Sequence, residues 1–156
     1  MSEIAKETQE SIINIILTEE DTQKAVKKAV HYVNDVVYRL KSKEVPLKKV
    51  IIATQLRKEI GDYESQGPHV TIAKVMKEKG YDVDPGTIIR YVITSGKGKI
   101  RDKARFADDV KEGDYDPDYY INNQVLPAVE KILEVFGYGA GEIAGEKKQS
   151  KLGSFF

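Results

Sequence analysis

The stretch "GKGKIRDKAR" places basic side chains at Lys97, Lys99, Arg101, Lys103 and Arg105. If this stretch is extended, the two-residue side-chain period aims all five at one face, a row of cations suited to following phosphates. Gly96 and Gly98 would let the backbone approach a ligand closely. The same spacing also suits a solvated hairpin edge, where lysine discourages strand pairing; both readings stay open. The surrounding charge is sorted: residues 90–105 hold six basic side chains and one acid, residues 106–118 six acids and one lysine. Because the whole chain balances 25 basic against 25 acidic residues, a polyanionic partner would have to be met by such a local patch.

Two further stretches could bind. At "QGPHV" a helix start would expose unpaired N–H groups and the positive end of a helix dipole, with His69 as an additional donor. Glycine and proline are also ordinary helix punctuation, which needs no ligand. At the C-terminus, Gln149, Leu152, Phe155 and Phe156 follow the pattern Q-x-x-h-x-x-a-a. One helical turn would set Leu152, Phe155 and Phe156 side by side as a three-pronged apolar plug, with Gln149 free to hydrogen-bond nearby. The spacing resembles a PIP box, the peptide that docks on the sliding clamp of replication. Folding of the two phenylalanines back onto the protein is the alternative.

Other chemistry finds little material. With histidine only at His31 and His69 and no cysteine, neither a nucleophilic triad nor a histidine or thiolate metal cluster can be assembled. Asp114, Asp116 and Asp118 superficially resemble a calcium loop, but Tyr119 stands where glycine is required and Val125 where a bidentate glutamate is required. No cofactor is expected in this chain. The N-terminus has neither the basic start nor the apolar run of a secretory signal, and no stretch reaches the length of a membrane span. A soluble, cytoplasmic protein is expected.

The elements that must carry these residues are mainly helical. Apolar spacing predicts a helix from Ser2 to about Leu17, through Ile4, Ile12, Ile15 and Ile16, and "TEED" offers Thr18 as the cap of the next. That second helix carries Ala25, Ala29, Val33, Val36, Val37 and Leu40 on one face, runs toward Pro46 and is expected to pack antiparallel to the first. "KVIIATQL" reads as a brief strand, followed by a polar helical or turn segment to Tyr63. A helix should begin at Pro68 after Gly67 and stop at Gly80, with Val70, Ala73, Val75 and Met76 inward. "GTIIRYVITSG" reads as a second strand. The last long helix should be capped by Asp116, start at Pro117, bury Ile121, Val125, Ala128, Val129, Ile132, Leu133 and Phe136, and be disturbed by Pro127. The fold class is α+β, mainly helical: one domain over residues 1–138, a linker over 139–148 poor in large apolar residues, and the apolar peptide at 149–156.

Four stretches, "SEIAKETQ", "GPHVTIAKVMKEKG", "PGTIIRYVI" and "YDPDYYINNQVLPAVEKILEVFGY", occur in that order. Together they resemble the thumb and C-terminal end of an archaeal family B DNA polymerase, over essentially the whole chain. The tyrosine pair, Asn123, Gln124 and "VLPA" carry the resemblance most specifically, while Gly113 and Asp114 stand where relatives often have a basic residue. The resemblance implies a thumb-like helical domain that grips the backbones of primer-template duplex leaving the active site. Carried over, it makes Arg57, Lys58, His69, Lys74, Lys97, Lys99, Arg101 and Lys103 backbone contacts, and the tail a tether to the sliding clamp. Palms of that family hold two magnesium ions on aspartates, including a "DTD" motif absent from this chain. The resemblance therefore implies that the chain does not polymerise alone. It would be an excised thumb, or a small piece of a split polymerase that binds a palm-bearing large subunit. A non-enzymatic adapter for the clamp or for a polymerase subunit is the competing reading.

Overall fold

The computed structural model describes residues 1–137, which fall into two compact units. One comprises residues 4–44 together with the chain from Pro117 onward; the other comprises residues 45–116 with the first three residues.

The first unit is helical. Helix α1 (Glu3–Thr18) buries Ile4, Ala5, Thr8 and Ile12, whereas Ile15 and Ile16 are only half-buried. The buried Thr8 hydroxyl is satisfied by donating to the Ile4 carbonyl at 2.7 Å. Helix α2 (Thr22–Lys41) buries all six residues expected from its periodicity, and Val26 besides. Its cap differs from expectation. Thr18 is the last residue of α1 and its hydroxyl donates back to the Asn14 carbonyl, while the Asp21 carboxylate accepts the Lys24 N–H at 3.1 Å and caps α2. The Ser11 hydroxyl donates to the Tyr32 hydroxyl at 3.0 Å, joining α1 to α2. Nor does α2 run to Pro46. It closes at Lys41: the Lys43 N–H donates to the Leu40 carbonyl and the Glu44 N–H to the Arg39 carbonyl, with Lys43 at φ 59°. This paired closure satisfies the last carbonyls and turns the chain before proline is reached.

The C-terminal helix is composite. Helix α6 (Pro117–Tyr119) passes into a π-helical turn over Tyr120–Val125 and then into α7 (Leu126–Val135). Pro127 has no N–H for the Asn123 carbonyl and its ring would crowd that group, so the widened turn falls where a regular ladder cannot continue. Tyr120, Ile121, Val125, Ala128, Val129 and Leu133 are buried, and Ile132 is half-buried. Phe136 is not part of that face: the helix ends at Val135, and Phe136 is 37% exposed.

The second unit is a three-stranded antiparallel sheet covered by a helix. After α3 (Leu47–Val50), whose first N–H is held by both oxygens of the Glu112 carboxylate (2.8 and 3.1 Å), strand β1 (Ile52–Gln55) pairs with β2 (Ile88–Ile93). The register sets Ile52 opposite Tyr91 and Gln55 opposite Ile88. Beyond a short helical turn, α5 (Ile100–Lys103), strand β3 (Ala104–Phe106) pairs with the other edge of β2, Tyr91 opposite Phe106. Helix α4 (Pro68–Glu78) packs on β2 and β3. It begins and ends where Gly67, Pro68 and Gly80 predict, the last at φ 94°. Its core face is Val70, Ile72, Ala73 and Met76; Val75 is half-buried, so Ile72 holds the inner place assigned to it. Among the described residues, no helix is long and apolar enough to cross a membrane.

Candidate nucleic-acid interface

Strand β1 hands the chain to Leu56, which is fully buried and bonded through its N–H to the Thr87 carbonyl and through its carbonyl to the Gly86 N–H. With Leu56 pinned, Arg57 and Lys58 emerge as the first exposed residues after the sheet. Their backbone is held from one point: the Tyr63 hydroxyl accepts the N–H of Arg57 at 2.9 Å and that of Lys58 at 3.2 Å. The Lys58 ammonium lies 5.8 Å from the centre of the Tyr63 ring, within cation–π range.

His69, in the first turn of α4, meets the same ring edge-on, with centroids 5.3 Å apart and planes at 84°. Its imidazole is held below the ordinary value by burial, which disfavours the charged form. On α4, Lys74 is exposed and donates to the Gln66 side-chain oxygen at 2.6 Å. It also borders an open depression of about 390 Å³ with Ile60, Gly61, Lys77 and Glu78. Arg57, Lys58, His69 and Lys74 are therefore brought together around the 3-10 turn Ile60–Asp62, which packs against α4.

The basic row has a different geometry from the extended one that would align all five cations. Only Ala104–Phe106 is strand; Ile100–Lys103 is a helical turn, begun where the Asp102 carboxylate accepts the Lys99 N–H at 3.1 Å. Gly98 makes this closure possible: at φ 103° it takes a backbone conformation unfavourable to side chains, and a Cβ there would stand 3.1 Å from the Asp102 carboxylate. Lys97 and Lys99 are exposed and Arg101 half-buried, and none of the three makes an ion pair among the described residues. Lys103 is turned into the unit, 3.0 Å from the Asp116 carboxylate. The Arg105 guanidinium donates to the carbonyls of Asp102 and Ala104. Helix α5 packs against α4, so α4 borders both groups of cations.

Sequence reasoning does not assign these contacts to Tyr63, Asp102 or Asp116. An aromatic residue inside "RKEIGDYESQG" is the only hint of the first. Gln149, Leu152, Phe155 and Phe156, with the linker before them, lie outside the described residues. Among the described residues, no group of three or more histidine and acidic side chains could hold a metal ion.

The sequence profile of DNA polymerase family B matches residues 1–136. A DNA polymerase of Thermococcus aggregans is 50% identical over 139 residues, which cover 88% of this chain and 7% of that one. One from Thermococcus sp. (strain 9oN-7) is 43% identical over 157 aligned positions, 99% of this chain and 20% of that one. The solved family B DNA polymerase of the hyperthermophilic archaeon Pyrobaculum calidifontis superimposes with a TM-score of 0.79 at 40% identity, over 86% of this chain and 18% of that one. The chain belongs to DNA polymerase family B, and its fold is that of the corresponding part of an archaeal member. It spans only between 7% and 20% of the length of these relatives.

Proposed function

We propose that this chain is the thumb and C-terminal part of a DNA-directed DNA polymerase, which grips the backbones of primer-template duplex and supports nucleotidyl transfer catalysed elsewhere. The single observation that carries the reading is the gathering of basic side chains about α4 in a chain of zero net charge: Arg57, Lys58 and Lys74 around the 3-10 turn packed on it, His69 in its first turn, and Lys97, Lys99 and Arg101 on the turn beside it. Cations without carboxylate partners among the described residues are what phosphate contacts require, and contacts with phosphates are indifferent to base sequence. Lys103, already paired with Asp116, serves the interface by fixing the turn that presents Lys97, Lys99 and Arg101.

The thumb occupies residues 1–138. Residues 139–148 act as a leash, and Gln149, Leu152, Phe155 and Phe156 dock on the sliding clamp. Catalytic metal ions are supplied by a palm on another part of the polymerase, to which this chain binds. Titration of a labelled primer-template duplex with the full chain across a range of salt tests the grip. Binding that falls steeply with salt and ignores sequence supports it; absence of binding at low salt favours an adapter that meets only proteins. Co-purification with a palm-bearing subunit, with restored synthesis, tests the division of labour.

A further inference from the structure

We infer that Tyr63 is the positioning residue of the duplex grip, coupling the Arg57–Lys58 corner to the first turn of α4 so that both meet the sugar-phosphate backbone at a fixed spacing. The inference rests on the duplex-gripping reading above. One side chain makes four contacts that converge on candidate phosphate ligands: its hydroxyl accepts the N–H groups of Arg57 and Lys58, its ring lies under the Lys58 ammonium, and the same ring packs T-shaped with the His69 imidazole. Residues 57–59 lie outside any helix or strand, and each of the two N–H groups would otherwise be left to water. Two consecutive N–H groups gathered on one acceptor fix the peptide planes there, and with them the directions in which the two cationic side chains leave the backbone.

The ring adds a second constraint. Gly67, just before α4, is close enough to His69 that a Cβ would stand 3.4 Å from the imidazole, so His69 is held between the chain entering α4 and the Tyr63 ring. A long, flexible lysine or arginine loses conformational entropy when it engages a phosphate, and a preset backbone lowers that loss. Tyr63 carries no charge to release counterions. A positioning effect passes through Arg57, Lys58 and His69 and vanishes when they are removed, whereas a direct hydrogen bond from the hydroxyl to a phosphate would persist.

The test is a double-mutant cycle on the full chain, read by fluorescence anisotropy of a labelled primer-template duplex at several salt concentrations. Tyr63→Phe keeps the ring and removes only the hydroxyl. It should weaken binding by roughly two- to tenfold, the range of one or two modest hydrogen bonds. In an Arg57→Ala/Lys58→Ala background the same change should have no further effect, and amide exchange at residues 57 and 58 should accelerate in Tyr63→Phe alone. Equal weakening in both backgrounds, or none in the wild type while Arg57→Ala/Lys58→Ala still weakens binding, overturns the positioning role. If Arg57→Ala/Lys58→Ala binds as tightly as the wild type, the grip itself is wrong at this corner and the inference falls with it. Tyr63→Leu, which removes ring and hydroxyl together, should bind more weakly than Tyr63→Phe; equal binding by the two overturns the part assigned to the His69 contact.

Discussion

The ammonium of Lys103 stands 3.0 Å from the carboxylate of Asp116, with side chains only 16% and 15% exposed. The pair closes the chain between β3 and the end of its unit, where the Asp116 N–H also donates to the Ile93 carbonyl at the end of β2. Lys103→Ala takes from the largely buried Asp116 carboxylate the ammonium 3.0 Å away and should cost about 1–3 kcal/mol of stability. Its affinity for duplex DNA, measured below the melting range, should change less than that of Lys99→Ala. A melting temperature equal to that of the wild type contradicts this assignment.

Lys99 and Arg101 have no such partner among the described residues. The double change to alanine should weaken duplex binding regardless of sequence and reduce the slope of log affinity against log salt by about 2, near one unit for each phosphate no longer engaged. Melting should be nearly unchanged. An unaltered salt slope removes the turn after β2 from the interface.

Protonation of His69 should have opposite signs in the free and bound states. In the free chain burial holds the imidazole below its ordinary value of 6.5. The unfolded chain then binds the proton first as pH falls, and stability declines below neutrality. His69→Gln should flatten that decline. Against a phosphate the charged form is favoured, so the His69 titration, followed by NMR, should move upward when duplex is added. A titration indifferent to duplex argues that His69 does not face the backbone.

The start of α2 offers a test of local physics without any partner. Asp21→Ala should destabilise the protein by about 1 kcal/mol, because it leaves the Lys24 N–H without its acceptor. Thr18→Ala should cost much less, since that hydroxyl only doubles an existing helical carbonyl contact. Thermal melts of the two variants decide, and a larger loss from Thr18→Ala would reverse the assignment.

The proposed clamp docking has a test separate from folding. Phe155→Ala/Phe156→Ala should abolish binding to the sliding clamp and leave the melting temperature unchanged, because an aromatic anchor carries most of such an interface. A marked drop in melting would mean that the two rings pack on the protein itself.

Elements governed by neighbours a few residues away were legible in the sequence. Gly67, Pro68 and Gly80 bound α4 by backbone chemistry alone, and the three-to-four spacing from Ala25 to Leu40 is that of the buried face of α2. Contacts set by the fold were not. Choosing between Thr18 and Asp21 needed the place where α1 stops. The conformation of the row from Lys97 to Arg105 turned on the Asp102 carboxylate, which closes a helical turn that period-two spacing does not anticipate. Pairing of Lys103 with Asp116 joins residues thirteen apart. The gathering of Arg57, Lys58 and His69 on Tyr63 depends on a loop with no periodicity from which to read it.

The helical unit is discontinuous in the chain: residues 4–44 belong with the segment after Pro117, and residues 45–116 are spliced between them. A ribosome therefore releases α1 and α2 well before their missing third helix exists. If the sheet unit folds as soon as it emerges, it shortens the open span that the late helix must close, and loop closure grows easier as the free span contracts. Within these residues assembly is thus expected to proceed outward from the inserted sheet unit, with α1 and α2 waiting for α7 before their own unit is complete.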